Sequence, residues 1–380
     1  MLDTPTTLRM SANALSSQKT QLVGHIESEV YAAAPGVWER FGEAGRANIR
    51  QDIACNLDFL SESIKYNDVG IFTRYAQWLS ELFAGLGLPP DTLGQTLRSM
   101  RSGIAKAFPA GLPDGVAERL DAASSDMATE SRTPATNPAG TPVKALPEVT
   151  AVPAADAGLL DAPGGIAQDY LDYLLEGDRA AATAFVMDLV ERKTDIRSIY
   201  LDVFQESQYR LGRLWLAGKI SVAQEHFCTA ATQAIMSRLY PHIFATPRNG
   251  KRLVATSASG ELHEIGIRIL ADLFELEGWD SYYLGANTPA NAVVSALRDQ
   301  KARLLCISAT MVYNLKAVES IISAVRKAFP AGDVKILVGG YAFKSSEGLW
   351  QSMGADGFAM NALDAIQLAE SMVSEDGFAR

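Results

Sequence analysis

The chain has 380 residues, more than one ordinary domain holds, and its 48% hydrophobic content is enough for the cores of two or three. Its 44 acidic residues against 34 basic ones, a net charge of -10, argue against a nucleic-acid-binding surface. The three cysteines, Cys55, Cys228 and Cys306, stand far apart without CxxC spacing, which argues against a disulfide framework or a zinc site and fits a reducing cytoplasm. No apolar run reaches the roughly 18 residues of a membrane span. Residues 1–19 are polar and lack the apolar core of a signal peptide.

From the N-terminus, residues 1–124 are expected to form an all-α domain, a small bundle or a globin-like fold. Ile53, Leu57, Leu60 and Ile64, then Phe72, Tyr75, Leu79, Leu82 and Phe83, recur at helical spacing. Pro35-Gly36, Asn67-Asp68 and Pro89-Pro90-Asp91 break the run. Residues 125–165 carry Pro134, Pro138, Pro142, Pro147, Pro153 and Pro163 among Ala and Thr, and read as a linker. Residues 166–247 return to a helical period, with breaks at Gly177-Asp178, Thr194-Asp195 and Gly218-Lys219. Four helices are expected there, with Asp178, Asp195 and Ser221 as caps.

Residues 251–380 alternate strand and helix. Strands are expected at Leu253–Ser257, Ser281–Leu284, Leu304–Ser308, Lys335–Val338 and Gly357–Phe358, with helices such as His263–Leu276 and Leu315–Phe329. Five β-α units imply a doubly wound parallel sheet. A flavodoxin-like strand order places the ligand crevice at the carboxyl ends of strands one and three.

Three motifs fall at such ends. Glu261-Leu262-His263-Glu264-Ile265-Gly266 follows the first strand, Ser308-Ala309-Thr310 ends the third, and Gly339-Gly340 follows the fourth. A histidine after a strand is most often an ordinary loop residue, and paired glycines are common in α/β folds. The three in this order resemble the cobalamin-binding fingerprint E/D-x-H-x-x-G, S-x-T/L and G-G. Leu284-Gly285-Ala286-Asn287-Thr288-Pro289 and Gly354-Ala355-Asp356-Gly357 extend the likeness, which covers 166 to the C-terminus. The resemblance implies a Rossmann-like cobalamin domain under a four-helix cap. In it His263 is the axial ligand to cobalt. Glu261 holds the other ring nitrogen. Gly266 admits the corrin, Ser308 and Thr310 meet the nucleotide tail, and Gly339 and Gly340 clear its slot.

Glu261 with S-x-T is similar to the light-sensing CarH and LitR branch. Trp215, followed after nine residues by Glu225-His226, resembles the cap of those photoreceptors, where these side chains cover the adenosyl group of adenosylcobalamin. CarH carries a histidine after this tryptophan; here Leu216 stands there. The MerR-type DNA-binding front end of that branch has no counterpart in residues 1–124. A helical domain before the cobalamin module looks most like the photocobilins, which add biliverdin. In that likeness Arg46, Arg50 and Arg74 would meet bilin propionates and Trp38, Tyr75 and Trp78 would line a slot, with His25 and Cys55 as ligand or linkage residues. The plainer reading makes the arginines solvated and the aromatics core.

The expectation is therefore a cytoplasmic, non-enzymatic adenosylcobalamin photoreceptor in which light cleaves the Co–C bond, with biliverdin as a candidate second chromophore. It would act through self-assembly or a protein effector, without DNA or membrane. Two alternatives stay open: a corrinoid methyl carrier serving a methyltransferase, and a cobalamin-responsive regulator without photochemistry.

Overall fold

Apolar residues three and four apart become the buried stripes of helices at the front of the chain. A computed structural model describes residues 4–33, 42–130, 165–344 and 348–373. The chain forms two units: Met1–Ala155 with Leu214–Ser221, and Asp156–Arg213 with Val222–Arg380. The linker reading and the Pro35-Gly36 break fall largely or wholly outside the described residues, as does Trp38.

The first unit contains α1 (Thr4–Ser17), α2 (Lys19–Ala33), α3 (Gly42–Lys65), α4 (Val69–Gly85), α5 (Thr92–Ala107) and α6 (Val116–Glu130). Ile53, Leu57, Leu60 and Ile64 on α3 and Phe72, Tyr75, Leu79 and Leu82 on α4 are buried, as their spacing predicts. Asp68 caps α4 by accepting from the Gly70 N–H at 2.8 Å. The fully buried Arg119 of α6 donates to Asn67 Oδ1 at 3.1 Å, tying α6 to the α3–α4 corner.

Tyr75 and Trp78, named for a bilin slot, lie in the packing of this unit. Tyr75 stacks on Phe59 at 3.7 Å and on Trp78 at 5.8 Å, and its hydroxyl donates to Asn56 Oδ1 at 2.6 Å. Tyr75 and Trp78 are core, buried against neighbours of their own unit. Arg50 is an exposed partner of Glu27 at 2.8 Å, and Arg74 lies 3.9 Å from Asp68. His25 lies beside Gln21, 3.4 Å away on the same helix. Burial pushes the Cys55 thiol up to about 12, so it is not a ready nucleophile for linkage. The side chain of Arg46 lies outside the described residues.

Leu214–Ser221 belongs to this first unit. Within it Gly85 and Gly218 meet backbone to backbone. A Cβ on Gly85 would stand 2.6 Å from the Leu216 carbonyl oxygen, and one on Gly218, whose φ is +66°, would stand 2.7 Å from that of Gly85.

The second unit begins with the helices α7 (Ile166–Leu175) and α8 (Arg179–Glu191). Asp178 caps α8 through the Ala181 N–H, as expected, and Asp195 accepts from the Arg197 N–H. A π-helical stretch, Ile199–Gln205, runs into α9 (Glu206–Leu216), and α10 (Val222–Met236) and the short α11 (Tyr240–Ile243) follow. The sheet comprises β1 (Arg252–Ser257), β2 (Asp280–Gly285), β3 (Leu304–Ser308), β4 (Lys335–Gly339) and β5 (Gly357–Ala359). All pairings are parallel, in the order β2-β1-β3-β4-β5. The connecting helices are α12 (Ile265–Leu276), α13 (Ala290–Gln300), α14 (Leu315–Ala328), the short α15 (Tyr341–Lys344) and α16 (Leu349–Ser352), and α17 (Ala362–Met372). β1 and β3 are buried nearly end to end, as strands covered on both faces must be. This is the expected flavodoxin-like order, with its crevice at the carboxyl ends of β1 and β3.

Candidate functional site

The register brings the three motifs to one level. Ser257, at the end of β1, pairs with Ser308 at the end of β3, and Ser308 pairs with Gly339 at the end of β4. From β1 the chain makes a loop before α12 starts at Ile265, and Glu261 and His263 lie in that loop.

Glu261 is 1% exposed, and its carboxylate is filled by donors. Oε1 accepts from the His263 N–H at 3.1 Å and from His263 Nδ1 at 2.5 Å. Oε2 accepts from the backbone N–H of Thr310 at 2.8 Å and of Met311 at 3.0 Å, and from Asn314 Nδ2 at 3.0 Å. Burial alone would raise its pKa. The hydrogen bond and charge of His263, with those from Met311 and Asn314, outweigh burial and hold the carboxyl down at about 2. An ionised carboxylate only accepts, so Nδ1 donates to it, and in the neutral imidazole the lone pair then falls on Nε2. The His263 side chain is 31% exposed, so the ring is half-buried rather than sealed.

Other contacts stiffen the same loop. Ser257 Oγ donates to the His263 carbonyl at 3.2 Å. The Asn287 N–H donates to the Glu261 carbonyl at 3.1 Å, while its Oδ1 accepts from the Gly260 N–H at 2.8 Å. A Cβ on Gly266, the second residue of α12, would meet nothing within 4 Å, so the helix start is open. Leu262, an apolar side chain beside His263, is 71% exposed.

Two motif residues also serve the domain's own structure. Thr310 contributes its backbone N–H to Glu261. Gly340 has φ +92°, and a Cβ there would stand 2.4 Å from the Ala309 carbonyl oxygen. Backbone geometry within the domain therefore requires this glycine, whether or not a ligand tail passes it. At Gly339 the nearest atom to an added Cβ is the Ala359 carbonyl oxygen at 3.3 Å, a milder restriction. Ser308 is half-buried at the strand end.

On the bundle, Glu225 Oε2 accepts from His226 Nδ1 at 2.7 Å and Oε1 accepts from Thr229 Oγ1 at 2.9 Å. Gln208 continues the chain, its Nε2 donating to Thr232 Oγ1 at 3.2 Å. His226 is well exposed, whereas Trp215 is buried and, with Leu216, falls in the first unit. The structure thus joins Glu225 to His226.

Asn314, Asn287, Ser257 and Glu264 were not singled out by sequence. Asn287 lay in a stretch already compared with the fingerprint, and its φ of +54° is a conformation asparagine tolerates. Asn314 carried no such signal.

Among the described residues no group of three or more His, Cys, Asp or Glu side chains is placed to hold a bare metal ion. A single carboxylate-oriented imidazole instead suits a metal that arrives with its own equatorial ligands. Residues 251–367 match the family described as B12 binding domain, and residues 166–240 match a second family of the same description. The chain is 25% identical over 122 residues to the dimethylamine corrinoid protein of Methanosarcina barkeri, covering 32% of this chain and 56% of that one. It therefore spans little more than half the length of that relative. It is 24% identical over 166 residues to dimethylamine corrinoid protein 1 of Methanosarcina acetivorans, covering 44% and 75%. The solved monomethylamine corrinoid protein of M. barkeri superposes with a TM-score of 0.49 at 20% identity, over 55% of this chain and 98% of that one.

Proposed function

We propose, on the premise that this chain belongs to the cobalamin-binding proteins through its B12-binding domains at 166–240 and 251–367, that it is a corrinoid carrier whose cobalt His263 would hold. The observation that carries this is the Glu261–His263 pair: an ionised, fully partnered carboxylate fixes Nδ1 as the protonated nitrogen and leaves Nε2 to the metal. When bound, cobalamin would supply a cobalt able to carry an alkyl group. The chain's own part is to hold the imidazole tautomer and to leave open the start of α12 at Gly266, with Leu262 as apolar contact for the ring. Ser308 and Gly339, level with each other at the strand ends, would border the nucleotide tail. The relatives named as corrinoid proteins favour a carrier serving a separate methyltransferase over the photoreceptor expected from the cap motif.

A second reading keeps the light response. It rests on the Glu225–His226–Thr229–Gln208 chain, a polar row with an exposed imidazole on the bundle. There Glu225 would accept from ribose hydroxyls of an adenosyl group, and Trp215 would be its aromatic wall. One experiment separates the two. The protein is loaded in the dark with methylcobalamin or adenosylcobalamin, and affinity and spectrum are recorded before and after illumination. A carrier binds the methyl form at least as tightly as the adenosyl form. A sensor prefers the adenosyl form and, on illumination, releases the adenosyl group while its spectrum changes. Failure to bind either corrinoid would remove both.

A further inference from the structure

Glu264 is the N-cap residue of α12, yet its side chain makes no capping bond to that helix. The carboxylate is turned to three other elements. Oε1 accepts from Gln233 Nε2, on the bundle helix α10, at 2.7 Å. Oε2 accepts from the Tyr283 hydroxyl of β2 at 3.0 Å and from the Ala286 N–H just beyond β2 at 3.1 Å. Room for it depends on Gly285, where φ is +78° and an added Cβ would stand 3.1 Å from that oxygen. The Tyr283 hydroxyl is raised, by burial first and then by the Glu264 charge, so it stays protonated and donates. Glu264 is also the residue directly after His263. A shift of α10 that pulls on its carboxylate acts on the peptide that carries the imidazole.

We propose that Glu264 is a positioning residue that couples the seating of the bundle, through Gln233, to the aim of His263. This rests on the reading of His263 as the lower cobalt ligand. Coupling of this kind is reciprocal. Displacing α10 loosens the imidazole from cobalt, and ligation of cobalt by His263 steadies α10. The bundle is fastened to α12 independently, farther from His263. Tyr200 donates to Asp272 Oδ2 at 2.8 Å, and Arg268 donates to Ser237 Oγ at 2.7 Å and to the Tyr240 hydroxyl at 3.1 Å. Those ties keep the bundle docked when Gln233 is changed, and they supply a control.

The test uses the full chain loaded with methylcobalamin in the dark, with absorbance reporting the ratio of histidine-bound to histidine-free cobalt. Gln233 is half-buried, so Gln233→Ala should fold; Gln233→Glu sets a second carboxylate against Glu264 and serves as the stronger variant. Gln233→Ala should lower the ratio about fivefold, the low end of ordinary coupling, and Gln233→Glu should lower it further. Tyr200→Phe should lower the melting temperature and leave the ratio unchanged. Hydrogen exchange of α10 should slow on loading in the wild type and slow less in Gln233→Ala. A ratio equal to wild type in both Gln233 variants overturns the proposal, as does an equal loss in Tyr200→Phe, which would mean general loosening of the bundle. If His263→Ala and wild type give the same spectrum, the axial-ligand reading itself fails, a result distinct from either.

Discussion

At the scale of single residues, Glu261 organises the site by satisfying donors from both sides of the β1–β3 crevice. Oxygens that accept from His263, Thr310, Met311 and Asn314 bind the loop after β1 to the loop after β3. Glu261→Gln would replace one acceptor oxygen by an NH2 group facing donors. Corrinoid affinity should fall about 10- to 100-fold, the range for partners that orient a metal-binding histidine. Titration of the apoprotein with cobalamin checks it, and unchanged affinity would mean that His263 needs no orienting partner. Gly340→Ala acts differently. Its φ of +92° and the 2.4 Å approach to Ala309 make it a stability change. A loss of about 1–3 kcal/mol or more is expected from the backbone strain, read as a lower melting temperature of the apoprotein. The positions of His263, Ser308 and the glycine pair were legible in the sequence, because strand ends and turns have local signatures. The reason for Gly340 was not, because it lies in the backbone of Ala309, some thirty residues away.

At the scale of elements, the join between the bundle and α12 is polar and buried. Tyr200, in the π-helical stretch, donates to Asp272, which is 5% exposed. Burial pushes the Asp272 carboxyl up from 3.8 to about 6, against the Tyr200 hydrogen bond and the Arg268 charge and with help from Glu275. A carboxyl raised in the folded state binds more protons there than in the unfolded chain. Stability from this group is therefore greatest below 3.8 and declines as pH rises through about 6. Asp272→Asn keeps an acceptor for Tyr200 and removes the titration. Denaturant unfolding of the variant across that window should show a flatter pH dependence than wild type. An unchanged slope would show that Asp272 does not titrate there. The π-helical stretch was invisible to a reading by helical spacing, since Ile199–Gln205 carries the same apolar spacing as an ordinary helix. What differs is its packing on α12, a contact of high sequence separation.

At the scale of the whole molecule, two units divide the chain and the segment Leu214–Ser221 belongs to the first. The site around His263 lies wholly in the second. Saturating corrinoid should therefore stabilise the second unit directly, by about 4 kcal/mol at a thousandfold excess over Kd. In calorimetry the transition of that unit should move upward on loading. An unmoved thermogram would mean that the corrinoid is not held by the folded unit. Gly218→Ala, at φ +66° and 2.7 Å from the Gly85 carbonyl oxygen, should lower the transition of the first unit. The corrin spectrum of the loaded variant checks that its site is intact.

Alternating strand and helix patterns, turn residues and the spacing of three short motifs determined the sheet, its crevice and the placement of His263. These are properties of the local chain, so they can be read without knowing its path. Only the tertiary structure decided which donors fill Glu261, that Asn314 and Asn287 complete the loop, and that Glu264 reaches across to Gln233. Tyr75 and Trp78 likewise proved to be packed core, and Trp215 to be buried. Burial and hydrogen-bond partnership depend on residues tens of positions away, and spacing along the sequence carries no record of them until the chain has closed.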